Sequence, residues 1–159
     1  MKMQHRFSSL ESCLKENLNV LTARILTPEE MPLIPVIYAR FEAFGDLMNA
    51  TRFINYLNIA TANPRTKFAI WTKNVGIVAK VFKQGYSKPE NLNIIVSSPF
   101  VGKVLNISRL PWADKVFTVY NDSQIEAGNI DINCGAKSCF SCGLRYEKNS
   151  IKEIRERLK

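Results

Sequence analysis

The chain has 159 residues, of which 46% are hydrophobic and 23% are charged, and its formal net charge at pH 7 is +8. This length and composition suit one globular domain over residues 1–159 and exclude an intrinsically disordered chain. No apolar run reaches the roughly 20 residues of a membrane-spanning helix, and the first residues lack the pattern of a signal peptide. We therefore expect a cytoplasmic protein that does not enter a membrane.

Basic residues are in excess in two parts of the sequence, between 65 and 88 and in the tail after Leu144. In the first of these parts Glu90 is the only acidic residue nearby. The basic residues there are Arg65, Lys67, Lys73, Lys80, Lys83 and Lys88. Such an excess favours polyanionic partners, so nucleic acid or a nucleic-acid-processing protein is the expected partner. The alternative is an ordinary solvated basic surface, because a high isoelectric point permits nucleic-acid binding without requiring it.

The first predicted element is an amphipathic helix. Apolar residues recur at helical spacing, at Leu10, Leu14, Leu18, Leu21 and Ile25. This pattern places Cys13 on the buried side, where a free cysteine acts as a small apolar residue. The segment TPEE follows, with Thr27 as cap, Pro28 at the first helical position and Glu30 completing a capping box, and it predicts a short helical turn.

The remainder of the chain alternates between strand and helix patterns. The predicted strands are 36–44, 67–73, 92–100, 115–120 and NIDIN at 129–133, and the predicted helices are 49–64, 75–85, 123–128 and 150–159. Strands that alternate with helices indicate an α/β fold, with a mostly parallel sheet and flanking helices. The pattern leaves open whether the sheet is open or forms part of a barrel.

Polar residues follow several of the predicted strands. Glu42 and Asp46 lie near the end of the first strand, Lys73 ends the second and Ser98 lies near the end of the third. Ligands of parallel α/β folds bind where the strands end, so we expect these residues to share one site. If the protein is an enzyme, Glu42 or Asp46 is the acid/base group and Lys73 binds an anion. Ordinary turn chemistry is the alternative for each residue, and the sequence leaves enzymatic activity open.

The first strand carries two charged residues on one predicted face. Side chains alternate along a strand, so Arg40 and Glu42 are expected to point to the same side. A strand inside a parallel sheet is buried on both faces, and charges there require partners. We expect Arg40 and Glu42 either to form an ion pair with each other or to line a polar ligand cavity.

The segment CGAKSCFSCGLRY carries the most distinctive motif of the chain. Cys134, Cys139 and Cys142 form a C-x4-C-x2-C pattern after the predicted fifth strand, within a cysteine cluster at 134–146. Cysteine thiolates bind zinc and iron–sulfur clusters, so either is the expected cofactor. The fourth ligand is missing locally, and the candidates are Cys13, His5, Asp46 or a small molecule.

The segments RFEAFGDL, FAIWTKN, NIIVSSPF, KVFTVYN and INCGAKSCFSCGLRYEK occur in this order in the chain. Together they resemble the gene product 88 family of bacteriophages and prophages, over nearly the whole length. The resemblance implies an N-terminally shortened member, because the family's upstream cysteines would precede Met1. It also implies a phage or mobile-element protein, in the cytoplasm of a bacterial host, with a cysteine-bound metal that acts on or near nucleic acid.

The chain departs from that family pattern at Arg145, which occupies the position of the last cysteine of the cluster. Arginine cannot lose its proton at working pH and cannot replace a thiolate. Three outcomes remain open: a retained zinc or iron–sulfur site, a vestigial cluster without metal, or reactive thiols activated by nearby basic residues. A vestigial site favours an alternative function, in which the protein is a stoichiometric, anti-CRISPR-like inhibitor of a host defence nuclease.

Overall fold

The computed structural model describes residues 8–43 and 45–158. Its helices are α1 (Ser8–Ala23), α2 (Ala50–Ala62), α3 (Val75–Lys83), α4 (Asp122–Gly128) and α5 (Cys139–Cys142), and a short 3₁₀ helix spans Pro28–Glu30. Its strands are β1 (Tyr38–Phe41), β2 (Lys67–Thr72), β3 (Leu92–Ser97), β4 (Lys115–Tyr120) and β5 (Glu153–Arg157). No helix in the described ranges is both long enough and apolar enough to cross a membrane.

The five strands form one sheet in which the spatial order equals the chain order. Every neighbouring pair is parallel, and the sheet curls into a half-barrel flanked by helices. The predicted α/β fold is therefore confirmed, and the sheet is barrel-like. Because all strands run in one direction, their carboxyl ends lie along one edge, which is where ligands of such folds bind.

The two faces of the sheet pack against different parts of the chain. The outer face packs against α2 and α3 through side chains such as Phe68, Ile70 and Ile94. The inner face packs against residues 134–147 instead, where Tyr146 belongs to one hydrophobic cluster with Ala69, Ile95, Phe117 and Ile154. Burial on both faces explains why the central strands are apolar at nearly every position.

A buried amide attaches the end of α1 to α2. The side chain of Asn55 accepts a hydrogen bond from the backbone nitrogen of Leu26 at 2.9 Å. Its amide nitrogen donates to the backbone oxygens of Leu21 at 2.9 Å and Arg24 at 2.8 Å. These bonds satisfy three backbone groups where the chain leaves α1, and they hold that end of α1 against α2.

The predictions for the N-terminal elements are partly confirmed. The helical turn at TPEE is present, and Glu30 accepts a hydrogen bond from the backbone nitrogen of Thr27 at 2.9 Å. The predicted burial of Cys13 is wrong, because its side chain is exposed. The partly buried side of α1 comprises Leu10, Leu14, Leu18 and Leu21, and Cys13 lies about 100° around the helix from Leu14.

The two predictions for the C-terminal elements are wrong. The predicted helix at 150–159 is instead strand β5, which pairs with β4 along Glu153–Arg157. The predicted strand NIDIN at 129–133 is not a strand, and only the next residue, Cys134, forms an isolated bridge with Glu156. The side chain of Asn133 accepts a hydrogen bond from the backbone nitrogen of Arg155 at 2.8 Å and donates to the backbone oxygen of Glu153 at 2.9 Å. Asn133 and Cys134 therefore lie along the edge of β5 that faces away from β4.

The strand assignment of the C-terminus predicts unequal effects of two isoleucine substitutions. Ile154 is 1% exposed in the inner core, whereas Ile151 is 39% exposed. We expect Ile154→Ala to lower the free energy of unfolding by about 3 kcal/mol, and Ile151→Ala to change it by about 0.5 kcal/mol. Urea denaturation of both variants measures this difference, and equal losses would contradict the strand.

Candidate functional site

A buried carboxylate lies at the carboxyl end of β1. Glu42 is 5% exposed, and its backbone adopts a φ of 54°, which non-glycine residues rarely adopt. Its Oε1 lies 2.9 Å from Nε of Arg52, and its Oε2 accepts a hydrogen bond from Nη2 of the same guanidinium at 3.0 Å. Tyr56 also donates its hydroxyl proton to Oε1 at 3.0 Å. Both oxygens of Glu42 are thus held by α2.

Of the two alternatives for Arg40 and Glu42, the mutual ion pair is therefore wrong, whereas both residues line one cavity of about 560 Å³ beside α1 and α2. Strand β1 ends at Phe41, and the left-handed backbone of Glu42 ends the alternation of side chains on which the prediction depended. The Glu42 carboxylate contacts α2 on the outer side of the sheet. The guanidinium of Arg40 donates a long hydrogen bond, at 3.4 Å, to the backbone oxygen of Glu42 and not to its carboxylate. The same guanidinium lies against the ring of Trp71 on the inner face.

The surroundings of Glu42 shift the pKa of its carboxyl upward. Burial raises the pKa of the Glu42 carboxyl, and Arg52 and Tyr56 oppose this effect. Burial also raises the pKa of the Tyr56 phenol, and the nearby Glu42 charge raises it further. A carboxyl with a raised pKa beside a cavity has the properties of a general acid, so the predicted acid/base role of Glu42 stays a prediction.

Asp46 connects the loop after β1 to the end of β2. Its Oδ1 accepts hydrogen bonds from the Thr72 hydroxyl and the Leu47 backbone nitrogen, both at 2.7 Å. Its Oδ2 accepts from the backbone nitrogen of Lys73 at 3.0 Å. The structure thus brings Asp46 and Lys73 together as predicted, through the Lys73 backbone. The Lys73 side chain is exposed, and the three bonds give Asp46 a structural function in addition to its predicted catalytic one.

Ser98 organises the loop after β3. Its hydroxyl donates to the backbone oxygen of Lys103 at 2.6 Å and accepts from the backbone nitrogen of Phe100 at 3.3 Å. Within the described residues, no hydrogen bond joins Ser98 to Glu42, Asp46 or Lys73. The four predicted site residues therefore lie along the same edge of the sheet, but only Asp46 and Lys73 are in direct contact.

The three clustered cysteines line one small cavity together with Arg145. The cavity has a volume of about 20 Å³, enough for about one water-sized group. Cys139 and Cys142 are exposed at the two ends of α5, whereas Cys134 is half-buried. Burial raises the pKa of the Cys134 thiol and Glu156 raises it further, while Arg145 opposes both.

The arrangement of these cysteines does not match a metal site. Across residues 8–43 and 45–158, no group of three His, Cys, Asp or Glu side chains is placed to hold a metal ion. Of the proposed fourth ligands, Cys13 is exposed on α1, Asp46 is held at the end of β2, and His5 lies outside the described residues. Arg145 lines the cavity where the resemblance places another cysteine. A zinc ion or iron–sulfur cluster stays a prediction of the sequence.

A cluster of three side chains on the inner face was not predicted from the sequence. The guanidinium carbons of Arg40 and Arg145 lie 4.5 Å and 4.7 Å from the centroid of the Trp71 ring. The alternation along β1 and β2 places Arg40 and Trp71 on one face, but Arg145 comes from a distant segment. In the sequence, the one signal for Arg145 is its position three residues after Cys142.

Comparison of the chain with protein-family models, with curated proteins and with solved structures finds no match.

The buried pair of Glu42 and Arg52 predicts strong energetic coupling. We expect Glu42→Gln to lower the free energy of unfolding by about 3–5 kcal/mol, because it leaves the guanidinium of Arg52 buried without a counter-charge. The double variant Glu42→Gln/Arg52→Gln is expected to lose less than the sum of the single variants. Urea denaturation of the four proteins in a double-mutant cycle measures the coupling.

The exposed pair of Arg24 and Glu30 is the matched control for this cycle. Solvent screens such a pair, so the corresponding glutamine variants are expected to show no comparable coupling. Additive losses at Glu42 and Arg52 would show that the ion pair does not hold the end of β1.

Proposed function

We propose that the protein is a cytoplasmic phage or mobile-element protein that binds nucleic acid through the basic segment around α3, defined here by Lys73, Lys80 and Lys83. The resemblance to the phage gene product 88 family supports the origin. The observation that carries the proposal is that these three lysines have no acidic partner, whereas other basic residues of the same region do.

Two other lysines of the same region form ion pairs. Lys67 pairs with Glu147 at 2.6 Å, and Lys88 pairs with Asp114 at 2.8 Å, so these two charges are neutralised inside the molecule. Among the described residues, no carboxylate lies within ion-pair distance of Lys73, Lys80 or Lys83. The sequence from 47 to 89 contains no Asp or Glu at all. The positive charge of the α3 basic segment is therefore available to a partner.

The geometry of this segment favours contact with a phosphate backbone. Lys80 and Lys83 lie three residues apart on α3, and both are exposed, so they are neighbours on one side of the helix. Lys73 is exposed immediately before the helix. Lysine is a flexible point charge that binds phosphate without reading the base sequence. We therefore expect binding that depends strongly on salt and weakly on sequence.

A metal at Cys134, Cys139 and Cys142 is a separate part of the proposal: the three cysteines line one cavity, but their side chains would have to move to hold an ion. It requires Arg145 to leave that cavity, and no chemical step is assigned to it. Anaerobically purified protein is expected to contain about one zinc ion or one cluster per chain, and Cys139→Ser is expected to lower that content. Metal-free protein whose stability is unchanged by Cys139→Ser would contradict the site.

The alternative function is inhibition of a host defence nuclease. The observation that favours it is the guanidinium of Arg145 in the cysteine-lined cavity, because a binding protein does not need a complete metal site. An inhibitor of this kind would reduce the activity of a purified RNA-guided nuclease at equal concentration. The variant Cys139→Ser/Cys142→Ser would inhibit equally well, and a loss of inhibition in that variant would contradict the alternative.

The proposal for the α3 basic segment predicts the effect of two charge-removing substitutions. We expect Lys80→Ala/Lys83→Ala to weaken binding of a single-stranded oligonucleotide and to reduce the slope of log K against log salt by about 1.5 in magnitude. Fluorescence anisotropy at several salt concentrations measures both quantities.

The variant Lys148→Ala/Lys152→Ala is the matched control, because it removes the same net charge from two exposed lysines near the start of β5. Its binding is expected to fall less than that of the α3 variant. Equal losses in the two variants would indicate a response to net charge alone and would contradict a defined surface.

A further inference from the structure

Two cysteines lie at the two ends of a single helical turn. Helix α5 spans Cys139–Cys142, and the backbone nitrogen of Cys142 donates to the backbone oxygen of Ser138 at 3.2 Å. The turn thus has α-helical geometry, in which residues three apart lie on the same side. Both cysteines are free and exposed, and both line the small cavity described above. A small molecule in solution therefore has access to both residues.

The spacing within this turn permits a disulfide bond. In an α-helix, the Cα atoms of residues three apart are separated by about 5 Å, and disulfides span Cα distances of about 4.4–6.8 Å. The Cβ atoms of such residues are about 5–6 Å apart, so bond formation requires them to approach by about 1–2 Å. Helix α5 has only four residues and ends at Gly143, whose φ is 62°, so no further helical turn has to move with it.

Contacts on both sides hold this turn in place. The hydroxyl of Ser138 accepts a hydrogen bond from the backbone nitrogen of Phe140 at 3.2 Å and so caps the helix. The ring of Phe140 packs edge-on against the ring of Tyr38 in β1, with centroids 5.6 Å apart. The two thiols are therefore kept near each other, and the second can attack a bond formed by the first within the same molecule.

The other two cysteines are less suited to such a bond. Cys134 is half-buried, and its backbone nitrogen donates to the backbone oxygen of Arg155 at 3.0 Å, which fixes it to the edge of β5. Cys13 is exposed on α1, and the next cysteine in the sequence is Cys134. Cys13 is therefore the matched control, because it is an exposed thiol without a neighbouring cysteine in the sequence.

We propose that Cys139 and Cys142 form a thiol–disulfide exchange site for low-molecular-weight disulfides such as oxidised glutathione. One of the two sulfurs attacks the small disulfide, forms a mixed disulfide and releases the first small thiol, which takes up the proton of the attacking thiol. The other protein sulfur then attacks the mixed disulfide, forms the bond between Cys139 and Cys142, and releases the second small thiol with the remaining proton. The protein thus loses two electrons and two protons, and the small disulfide gains them.

This chemistry suits a protein in a reducing compartment. Disulfides that form there are transient, and exposed ones are readily reduced again. We expect the bond to form when small disulfides accumulate and to open when the small thiols are restored. The site is separate from the α3 basic segment and does not depend on nucleic-acid binding. It uses the same sulfurs as the proposed metal, so one molecule cannot hold both.

The test is a titration of the reduced full chain, of measured metal content, with oxidised glutathione, followed by alkylation, trypsin digestion and mass spectrometry. Cleavage after Lys137 and Arg145 places Cys139 and Cys142 in one peptide, SCFSCGLR, and leaves Cys134 in the preceding peptide. We expect SCFSCGLR to lose the mass of two hydrogen atoms, and dithiothreitol to restore them. In the same sample, the peptide that contains Cys13 is expected to gain one glutathione.

Three results would overturn the proposal. Stable addition of glutathione to Cys139 and Cys142, as at Cys13, would show that no exchange occurs within the turn. A cross-link between SCFSCGLR and the peptide of Cys134 would assign the bond to a different pair. Metal-containing protein in which Cys13 reacts and SCFSCGLR does not would assign these sulfurs to the metal.

The variants Cys139→Ser and Cys142→Ser detect the intermediate. Each removes the second attacking thiol, so the remaining cysteine of the turn is expected to retain its glutathione. We expect at least about tenfold more mixed disulfide at the turn in each variant than in the unchanged protein. Cys13→Ser removes a different exposed thiol and is expected to cause no such increase. Equal amounts of mixed disulfide at the turn in all three variants would contradict the exchange.

Discussion

The strands of this parallel sheet follow chain order, and the connections from β1 to β2 and from β2 to β3 contain the helices α2 and α3. Because such crossovers are right-handed, the helices that make them cover one face of the sheet, and the other face needs a different cover. In this protein α2 and α3 cover the outer face, and residues 134–147 cover the inner one. The stacking of Tyr146 on Tyr38, with ring centroids 4.6 Å apart, joins this cover to the first strand.

This arrangement explains why the cysteine cluster and the inner arginines are neighbours. The segment that carries the cysteines is also the one that places Arg145 against Trp71, so any movement of the cysteines would move a charged group of the inner face. The backbone oxygen of Arg145 accepts a hydrogen bond from Asn93 of β3 at 3.1 Å, which further fixes this segment to the sheet. The cysteines and the inner-face charge of Arg145 thus belong to one segment that is fixed to the sheet.

The sequence predicted the central strands well, because β2, β3 and β4 are apolar runs that a parallel sheet buries on both faces. It failed at β5, where charged residues of high helix propensity surround Ile154. Pairing with β4 decides that conformation, and no local pattern contains it. It predicted the edge that gathers Glu42, Asp46 and Lys73, because strand direction alone determines that edge. It could not predict the partner of Glu42, because one left-handed residue ended the alternation of β1.

The segment of Asn133 and Cys134 also affects whether the molecule associates with other copies of itself. An edge strand presents unpaired backbone groups that can recruit a strand from another chain and start aggregation. Three backbone groups of β5 already have partners at this edge. The side chain of Asn133 bonds to the backbone oxygen of Glu153 and the backbone nitrogen of Arg155. The backbone nitrogen of Cys134 donates to the backbone oxygen of Arg155. An incoming strand would have to displace these bonds. The short stretch that resembled a strand in the sequence thus protects a sheet edge against self-association.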